Sequence, residues 1–122
     1  MQIYSSIAVD DPLAPSAYAK ALAQQLARHT PGRVTATMAK TAREGKVFVD
    51  WSENNPFKTM ISPYSLRGRD LPTVATPVIW DEIAACRRAS QLVFTSAEVL
   101  DRVDELGDLL ADLEQTAALP QR

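Results

Sequence analysis

The sequence predicts an α/β fold in which a small sheet packs against helices, and three observations predict it. The segments 1–9 and 46–51 are rich in β-branched and aromatic residues, as strands are. The stretch over about 15–29 repeats apolar residues at helical spacing. A second helical stretch begins with the spacing of a capping box at Thr95 and Glu98. With 122 residues, the chain is long enough for one compact domain with a hydrophobic core.

The sheet, small and mixed or antiparallel, is predicted from four segments separated by turn signals. The opening MQIYSSIAV alternates in polarity and ends at an Asp-Asp-Pro turn. The segment GKVFVDW is followed by a turn that Asn-Asn-Pro marks. We expect 46–62 to form a hairpin or a close connection between two strands. The predicted strands are 1–9, 34–37, 46–51 and 58–63.

Three helices are predicted around this sheet. The first, over about 15–29, has a proline in its first turn and a Thr-Pro-Gly stop after it. A short helix is expected over 80–89. The last, over 95–114, is expected to close the fold, with Gly107 breaking or kinking it. The apolar stripe of the first helix consists of Tyr18, Leu22 and Leu26.

The composition excludes several classes of protein. One cysteine, Cys86, and one histidine, His29, are too few for an internal disulfide or a zinc site of the usual kind. His29 falls in the last turn of the first helix, where a cation meets the negative end of the helix dipole, so a catalytic role is disfavoured. No apolar run approaches the roughly 20 residues that span a bilayer. No signal peptide opens the chain, so we expect a cytoplasmic protein without a membrane partner.

The charges are unevenly distributed along the chain. Residues 33–69 contain seven basic and three acidic side chains, whereas 95–114 contain seven acidic side chains and one basic one. This separation favours a polyanionic partner at the basic segment, or it is the pattern of solvated faces; both interpretations are open. Trp51, Phe57 and Tyr64 lie among the basic residues, as aromatic residues do in nucleic-acid grooves. Core packing is the favoured explanation for these three residues.

Asp50 ends the apolar run of the segment 46–51. Val47, Val49 and Trp51 share one face of the predicted strand, and Phe48 shares the other with Asp50. Both faces carry apolar groups, which predicts an interior strand, where a carboxylate needs compensation. Two interpretations are open. Asp50 caps the following turn, or it holds a divalent metal.

Arg67 and Arg69 are candidates for phosphate binding, because a guanidinium fork matches phosphate oxygens. A pair of solvated surface arginines is the alternative. The sequence contains no Gly-rich phosphate loop and no Ser/His/Asp or Cys/His set.

The segment ATMAKTAREGKVFVDWSENNPFKTMISPYSLRGRDLPTVATPVIWDEI, over 36–83, closely resembles the end of the polymerase domain of bacterial ligase D. That domain belongs to the archaeo-eukaryotic primase–polymerase superfamily and acts in non-homologous end joining. The most specific pieces are GKVFVDWSENN, SPYSLR and TPVIWDEI. FTSAEVLDRVDELGDLLADL resembles its closing helix, and MQIY resembles the strand after its Ser-Gly-x-Lys-Gly motif. The resemblance implies that 1–122 are one domain, the RRM-like carboxy-terminal part of a polymerase domain, with 95–114 as the closing helix.

The resemblance also implies site residues and ligands. Asp50 matches the third metal-binding aspartate of the catalytic centre, so a catalytic Mn²⁺ or Mg²⁺ is implied. Arg67 matches an arginine that contacts the incoming nucleoside triphosphate. Gln2 falls where many members have a nucleotide-binding histidine; glutamine donates a hydrogen bond but carries no charge. Asn54 and Lys58 match positions in the same active-site strands and are implied to bind nucleotide or phosphate. DNA ends are the implied partner.

The departures from the family pattern predict a chain that is inactive alone. The family's Asp-x-Asp pair should precede Met1, and neither it nor Ser-Gly-x-Lys has an equivalent here. Two-metal phosphoryl transfer needs several carboxylates, so Asp50 alone does not suffice. Without the upstream strands, an uncovered sheet predicts a homodimer or a partner chain. The alternatives are one half of a split polymerase, or a non-catalytic remnant that binds nucleic acid or nucleotides.

Overall fold

The structure, a computed structural model, describes residues 1–68 and 70–120. The chain divides into two compact units. Unit 1 consists of Met1–Ile7 and Ile61–Ala117, and unit 2 consists of Ala8–Met60 with the chain from Ala118 onward. The single domain expected over 1–122 stays a prediction, because two compact units can belong to one domain.

The predicted α/β class is confirmed: short strands and helices are mixed along the chain. Short 3₁₀ turns connect them at Lys40–Arg43, Trp51–Glu53, Ala89–Leu92 and Ala111–Glu114. The strands and helices are β1 (Ile7–Ala8), α1 (Ala14–His29), β2 (Val34–Thr35), β3 (Val47–Phe48), β4 (Leu66–Arg67), β5 (Thr73–Val74), α2 (Trp80–Ala85), α3 (Ser96–Leu106) and β6 (Ala117–Ala118).

Within the described residues, the strands form three separate pairs rather than one sheet. β1 pairs with β6, β2 runs parallel to β3, and β4 runs antiparallel to β5. The predicted hairpin over 46–62 is therefore wrong, since β3 pairs with the strand before it and no strand is found over 58–63. The pair β4–β5 was not predicted, because the two prolines over 68–77 favoured an irregular connection.

The predicted strand 1–9 is longer than the strand in the structure. Only Ile7 and Ala8 are paired, and the side chain of Ile3 is 71% exposed. The predicted strand 46–51 likewise shortens to β3, in which Val47 is 66% exposed. Alternating apolar residues predicted these longer strands. In the part of the chain that the structure describes, each of them has a neighbouring strand on one side only, and each pairs over two residues.

The helices agree better with their sequence signals. α1 has proline near its start, and the ring Nδ1 of His29 lies 2.9 Å from the carbonyl oxygen of Gln25 in its last turn. α3 begins at the predicted capping box, where the N–H of Thr95 donates to Glu98 at 2.7 Å. It ends at Gly107, whose φ of 73° is natural for glycine and confirms the predicted break. The expected helix 95–114 is therefore shorter, and α2 ends at Ala85 instead of 89.

Each unit has a small core of its own. In unit 2, Ala23 of α1 is fully buried, and Thr35 of β2 is buried with its hydroxyl oxygen accepting from the Thr37 N–H. In unit 1, Val74 of β5 and Val99 of α3 are the buried apolar residues among those described. No helix within 1–68 and 70–120 is long and apolar enough to cross a membrane.

An ion pair ties α2 to α3 in unit 1. The guanidinium of Arg102 makes two hydrogen bonds to the Glu82 carboxylate, one of them 2.9 Å long, and donates to the carbonyl oxygen of Pro77 at 3.2 Å. It also lies 4.5 Å from the centre of the Phe94 ring. These hydrogen bonds lower the pKa of the Glu82 carboxyl and raise the pKa of Arg102. The pair therefore fixes α3 beside α2, which borders the groove described below.

Candidate functional site

Asp50 lies directly before the 3₁₀ turn Trp51–Glu53 in unit 2, and its carboxylate caps that turn. The Asp50 Oδ1 accepts hydrogen bonds from the backbone N–H of Ser52 at 3.1 Å and from the Ser52 hydroxyl at 2.7 Å. A short side-chain acceptor two residues before the donor is the usual turn geometry of aspartate. The capping interpretation of Asp50 is thus confirmed.

The interior strand predicted around Asp50 is wrong. Asp50 is exposed, and β3 ends at Phe48, two residues before it. Its carboxylate is therefore in contact with water, and burial creates no need for a compensating cation. The apolar pattern wrongly predicted a buried strand here, since the side chain of Val47 is itself mostly exposed.

Lys58 contacts the same turn through hydrogen bonds from its ammonium group. Its Nζ donates to the Ser52 hydroxyl oxygen at 3.0 Å and to Glu53 Oε1 at 3.0 Å. Asn54 sits in the turn between them, where its backbone N–H donates to the Trp51 carbonyl oxygen at 3.3 Å. Three of the five predicted site residues, Asp50, Asn54 and Lys58, thus share one turn of unit 2.

The carboxylates of this turn do not form a complete metal site. Within the described residues, no group of three or more histidine, cysteine, aspartate or glutamate side chains is arranged to hold a metal ion. Asp50 has one oxygen engaged by Ser52, and Glu53 is paired with Lys58. Two-metal phosphoryl transfer requires several carboxylates around the ions, so the residues described here do not fit such a site by themselves. The metal role of Asp50 stays a prediction.

The other two predicted residues, Gln2 and Arg67, border a groove of about 780 Å³ in unit 1. Its walls come from the chain start, the β4–β5 pair, α2 and the loop after α3. Most of the lining is apolar, including Ile79, Trp80 and Ile83. A groove with apolar walls and a few polar groups is the usual form of a small-molecule site.

The amide of Gln2 is held by a neighbouring tyrosine. The Tyr4 hydroxyl donates to Gln2 Oε1 at 2.8 Å, and it also lies 3.3 Å from the carbonyl oxygen of Ile61. With its oxygen engaged, the amide keeps its Nε2 hydrogens for another acceptor. Gln2 can therefore donate a hydrogen bond to an anion in the groove without carrying a charge itself.

Arg67 is the last residue of β4 and is exposed. β4 pairs with β5 in the register Leu66 with Val74 and Arg67 with Thr73. Within 1–68 and 70–120, no hydrogen bond or ion pair engages the Arg67 guanidinium, so its donors are open to a ligand. Arg69, the second predicted phosphate-binding arginine, lies outside the described residues.

The chain turns sharply at Tyr64, just before β4. Tyr64 has a φ of 62°, and its hydroxyl donates to Asp108 Oδ1 at 2.9 Å and accepts from the Leu109 N–H at 3.2 Å. Burial, followed by the hydrogen bond to Asp108, raises the pKa of the Tyr64 hydroxyl. At neutral pH the hydroxyl is therefore protonated and serves as a donor.

The aromatic residues in the basic segment are mostly engaged by their own surroundings. The Lys20 ammonium lies 4.8 Å from the centre of the Trp51 ring, and the Trp51 Nε1 donates to the Ala36 carbonyl oxygen at 3.2 Å. Tyr64 is bound to Asp108. Phe57, by contrast, is 91% exposed. Of the three residues proposed to interleave with bases, only Phe57 has its ring largely free.

The five sequence-predicted site residues thus fall into two sets, one in each unit. Sequence reasoning missed Tyr4, which holds Gln2, and Ser52, which holds Asp50, and it named Tyr64 only as an aromatic residue among the basic ones. The Asp-x-Ser spacing was a usable signal for Ser52, because aspartate commonly accepts from the residue two positions later. Nothing in the sequence pairs Tyr64 with Asp108, 44 residues away.

The fold and the groove define a class: a small α/β protein with a mostly apolar groove that is bordered by the amide of Gln2 and the guanidinium of Arg67. The chain belongs to the family described as LigD, primase-polymerase domain, whose sequence profile matches residues 1–110. The resemblance seen in the sequence is thereby confirmed.

Two similar proteins that are named LigD agree with this assignment. The chain is 56% identical over 107 residues to the multifunctional non-homologous end joining protein LigD of Mycolicibacterium smegmatis, covering 88% of this chain and 14% of that protein. It is 49% identical over 106 residues to the LigD of Mycobacterium tuberculosis, covering 85% and 13%. The chain thus spans about one seventh of the length of these relatives.

A solved structure shares the fold. The polymerase domain of Mycobacterium tuberculosis ligase D, in complex with DNA, superposes with a TM-score of 0.77 at 45% sequence identity. The match covers 89% of this chain and 38% of that chain. Most of the related domain therefore has no counterpart in the sequence described here.

Proposed function

We propose that this chain supplies the nucleotide-binding part of a DNA-repair polymerase that acts in non-homologous end joining, and that it does not polymerise by itself. The observation that carries the proposal is the groove of unit 1, where Gln2 and the unpaired guanidinium of Arg67 border apolar walls. Membership of the LigD primase–polymerase family gives this groove its expected ligand, a nucleoside triphosphate.

The chemistry of the groove suits a triphosphate. An arginine fork donates two parallel hydrogen bonds to phosphate oxygens, and the Gln2 amide adds a neutral donor. The apolar walls suit the face of a base or sugar. We expect ATP to bind the isolated chain, and Arg67→Ala to weaken binding about tenfold, the loss of about 1.4 kcal/mol that one charged hydrogen bond supplies.

We propose Mn²⁺ or Mg²⁺ as the metal of the complete domain, with Asp50 as one ligand of a site whose other carboxylates lie outside the described residues. The chemistry supplied by such ions is charge stabilisation during phosphoryl transfer. Ser52 holds the Asp50 carboxylate by a hydrogen bond, and Lys58 donates to the Ser52 hydroxyl. In the isolated chain these contacts keep one carboxylate in place, which is not enough for catalysis. Asn54 and Lys58 are proposed to shape this turn rather than to bind the nucleotide directly.

Primer extension tests the predicted inactivity. The purified chain, with Mn²⁺, ribonucleotides and a DNA primer–template, is expected to add no nucleotide. Extension that disappears in Asp50→Ala would overturn the claim. Adding a polypeptide that carries the Asp-x-Asp part of a related polymerase domain is expected to restore extension, and Asp50→Ala is expected to abolish that rescue.

A second candidate is one half of a split polymerase or a homodimer, in which another chain covers unit 1. The apolar side chains of Ile3, Leu71 and Trp80 are each at least two-thirds exposed, and such surfaces usually have a partner. Light scattering at tens of micromolar distinguishes the forms. A monomeric mass for the pure chain contradicts the homodimer, and a larger mass only on mixing supports the split polymerase.

A third candidate is a non-catalytic remnant that binds nucleic acid through the basic segment 33–69. The M. tuberculosis relative was solved in complex with DNA, and we propose DNA ends as the partner here too, in a cytoplasmic protein. Affinity for DNA that falls steeply with added salt supports backbone contacts by these basic residues. Affinity that is independent of salt contradicts them.

A further inference from the structure

The turn at Tyr64 has an unusual backbone for its residue type. Among the described residues other than glycine, Tyr64 alone has a positive φ, at 62°. An aromatic residue rarely adopts this left-handed conformation, which costs about 1 kcal/mol or more. The surrounding contacts must therefore hold the turn in place.

Those contacts come from both the backbone and the hydroxyl. The Tyr64 N–H donates to the Ala75 carbonyl oxygen at 2.8 Å, and the Ala75 N–H donates to the Ser65 carbonyl oxygen at 2.9 Å. The hydroxyl bridges the side chain of Asp108 and the N–H of Leu109, in the loop after α3. Asp108 Oδ1 also accepts from the Leu110 N–H at 2.9 Å, so that loop is itself ordered.

The held turn leads directly into the strand that carries Arg67. Tyr64 lies two residues before Leu66, and the hydrogen bonds of Ala75 begin the β4–β5 ladder that continues to Arg67 and Thr73. The opposite strand is anchored as well, because the Val74 N–H donates to the Phe94 carbonyl oxygen at 3.0 Å. The turn that leads into β4 is thus held both by backbone hydrogen bonds to Ala75 and by the hydrogen bonds of the Tyr64 hydroxyl.

We propose that Tyr64 is a positioning residue for nucleotide binding: its hydroxyl, tied to Asp108 and Leu109, fixes the turn that aims Arg67 into the groove. Tyr64 itself touches no phosphate in this arrangement. The inference rests on the proposed role of Arg67 and adds a residue that the family resemblance did not assign.

The test is Tyr64→Phe, which keeps the ring and removes only the hydroxyl. We expect the Kd for ATP, measured by NMR titration of the full chain, to rise about fivefold. Hydrogen exchange at the Ala75 amide is expected to become faster than in the wild type. Asp108→Ala, which removes the acceptor instead, is expected to give the same two changes without adding to those of Tyr64→Phe.

The matched control is Tyr18→Phe, which removes a hydroxyl from another half-buried tyrosine, in unit 2. It is expected to leave the Kd for ATP unchanged. In an Arg67→Ala background, Tyr64→Phe is expected to cause no further loss of affinity, because no guanidinium remains to be positioned. A purely structural tyrosine would instead lower the melting temperature and leave the Kd alone.

The outcomes separate this inference from the proposed function. If the wild type binds ATP and Tyr64→Phe binds it equally well, the positioning role is wrong and the proposed function stands. If the wild type and Arg67→Ala both fail to bind ATP, the proposed function is wrong, and the inference is overturned with it. A fivefold loss in Tyr64→Phe that disappears in the Arg67→Ala background supports both.

Discussion

The two units hold their candidate site residues in different ways. In unit 2, the contacts around Asp50 and Lys58 join residues two, five and six positions apart. In unit 1, the contacts behind the groove join residues far apart in sequence: Tyr64 with Asp108, 44 positions away, and Arg102 with Glu82, 20 positions away.

This difference teaches where a substitution should act. A local turn re-forms as long as its few residues are present, because neighbouring atoms cannot move far apart. Long-range contacts close large loops, so their loss releases whole elements rather than one side chain. Substitutions in unit 1 are therefore expected to cost more than substitutions around Asp50, and the four predictions below follow that order.

The largest effect is expected for Arg102→Ala. The side chain of Arg102 is 17% exposed. The substitution removes two hydrogen bonds to Glu82, one to Pro77 and the contact with the Phe94 ring. Removal leaves the Glu82 carboxylate partly buried without its cation, so we expect the free energy of unfolding to fall by about 2–3 kcal/mol. Urea denaturation measures the change.

The control for that prediction is Arg28→Ala, at an exposed position in the last turn of α1. Its expected cost is below about 0.5 kcal/mol, since exposed charges near a helix end contribute little. Equal costs for the two arginines would contradict the contrast between long-range and local contacts.

The second prediction concerns the pH dependence of the same ion pair. The hydrogen bonds from Arg102 hold the pKa of Glu82 below its ordinary value of 4.5. A lowered folded-state pKa contributes stability above the unfolded pKa, and that stability disappears as the pH falls through the folded-state value. We therefore expect the wild type to lose more stability than Glu82→Gln between pH 6 and pH 3, by about 1 kcal/mol.

Thermal melts at several pH values measure this difference. Glu98→Gln is a useful comparison, because its carboxyl pKa is lowered by Thr95 at an exposed helix start instead of by a buried pair. If the melting temperatures of the wild type and Glu82→Gln change with pH in parallel, the ion pair does not contribute to the pH dependence of stability.

The sequence predicted the contacts that are local and missed those that are not. The start of α3 at Thr95, the break at Gly107 and the cap of the turn after Asp50 all follow from residues within four positions. Local hydrogen bonding decides these features, so spacing alone reveals them.

The strand pairings and the groove depended on contacts that spacing cannot reveal. β3 pairs with β2 rather than with 58–63, and β4 pairs with β5 although Pro72 lies between them. The order of strands is set by tertiary packing, which overrides the local β-propensity. Gln2 was named only because a family resemblance placed it, Arg67 was named also for its guanidinium, and no periodicity in the chain joins the two.

The third prediction concerns Gln2, which the family resemblance places at a position of a nucleotide-binding histidine. The neutral amide, held by Tyr4, cannot change its charge between pH 5.5 and 7.5. Gln2→His introduces a group that is protonated at the lower pH and attracts phosphate there. We expect its affinity for ATP, divided by that of the wild type at the same pH, to rise about threefold on acidification.

Titrations of both proteins at matched ionic strength measure that ratio, so the protonation of ATP itself cancels. Gln2→Asn is the control, since it keeps an amide and adds no titrating group. A constant ratio for Gln2→His would place residue 2 away from the phosphates and would weaken the groove proposal.

The smallest effect is expected for Asp50→Ala in the isolated chain. Loss of the cap leaves the Ser52 N–H and hydroxyl to water, at an exposed position, so unfolding is expected to become easier by only about 0.5–1 kcal/mol. Affinity for ATP is expected to stay unchanged, because Asp50 belongs to unit 2 and the groove to unit 1. Asp50→Asn keeps an acceptor oxygen and is expected to recover most of the lost stability. An equal loss for Asp50→Asn and Asp50→Ala would mean that the negative charge, rather than the cap, matters in the folded chain, and it would favour a cation bound at this turn.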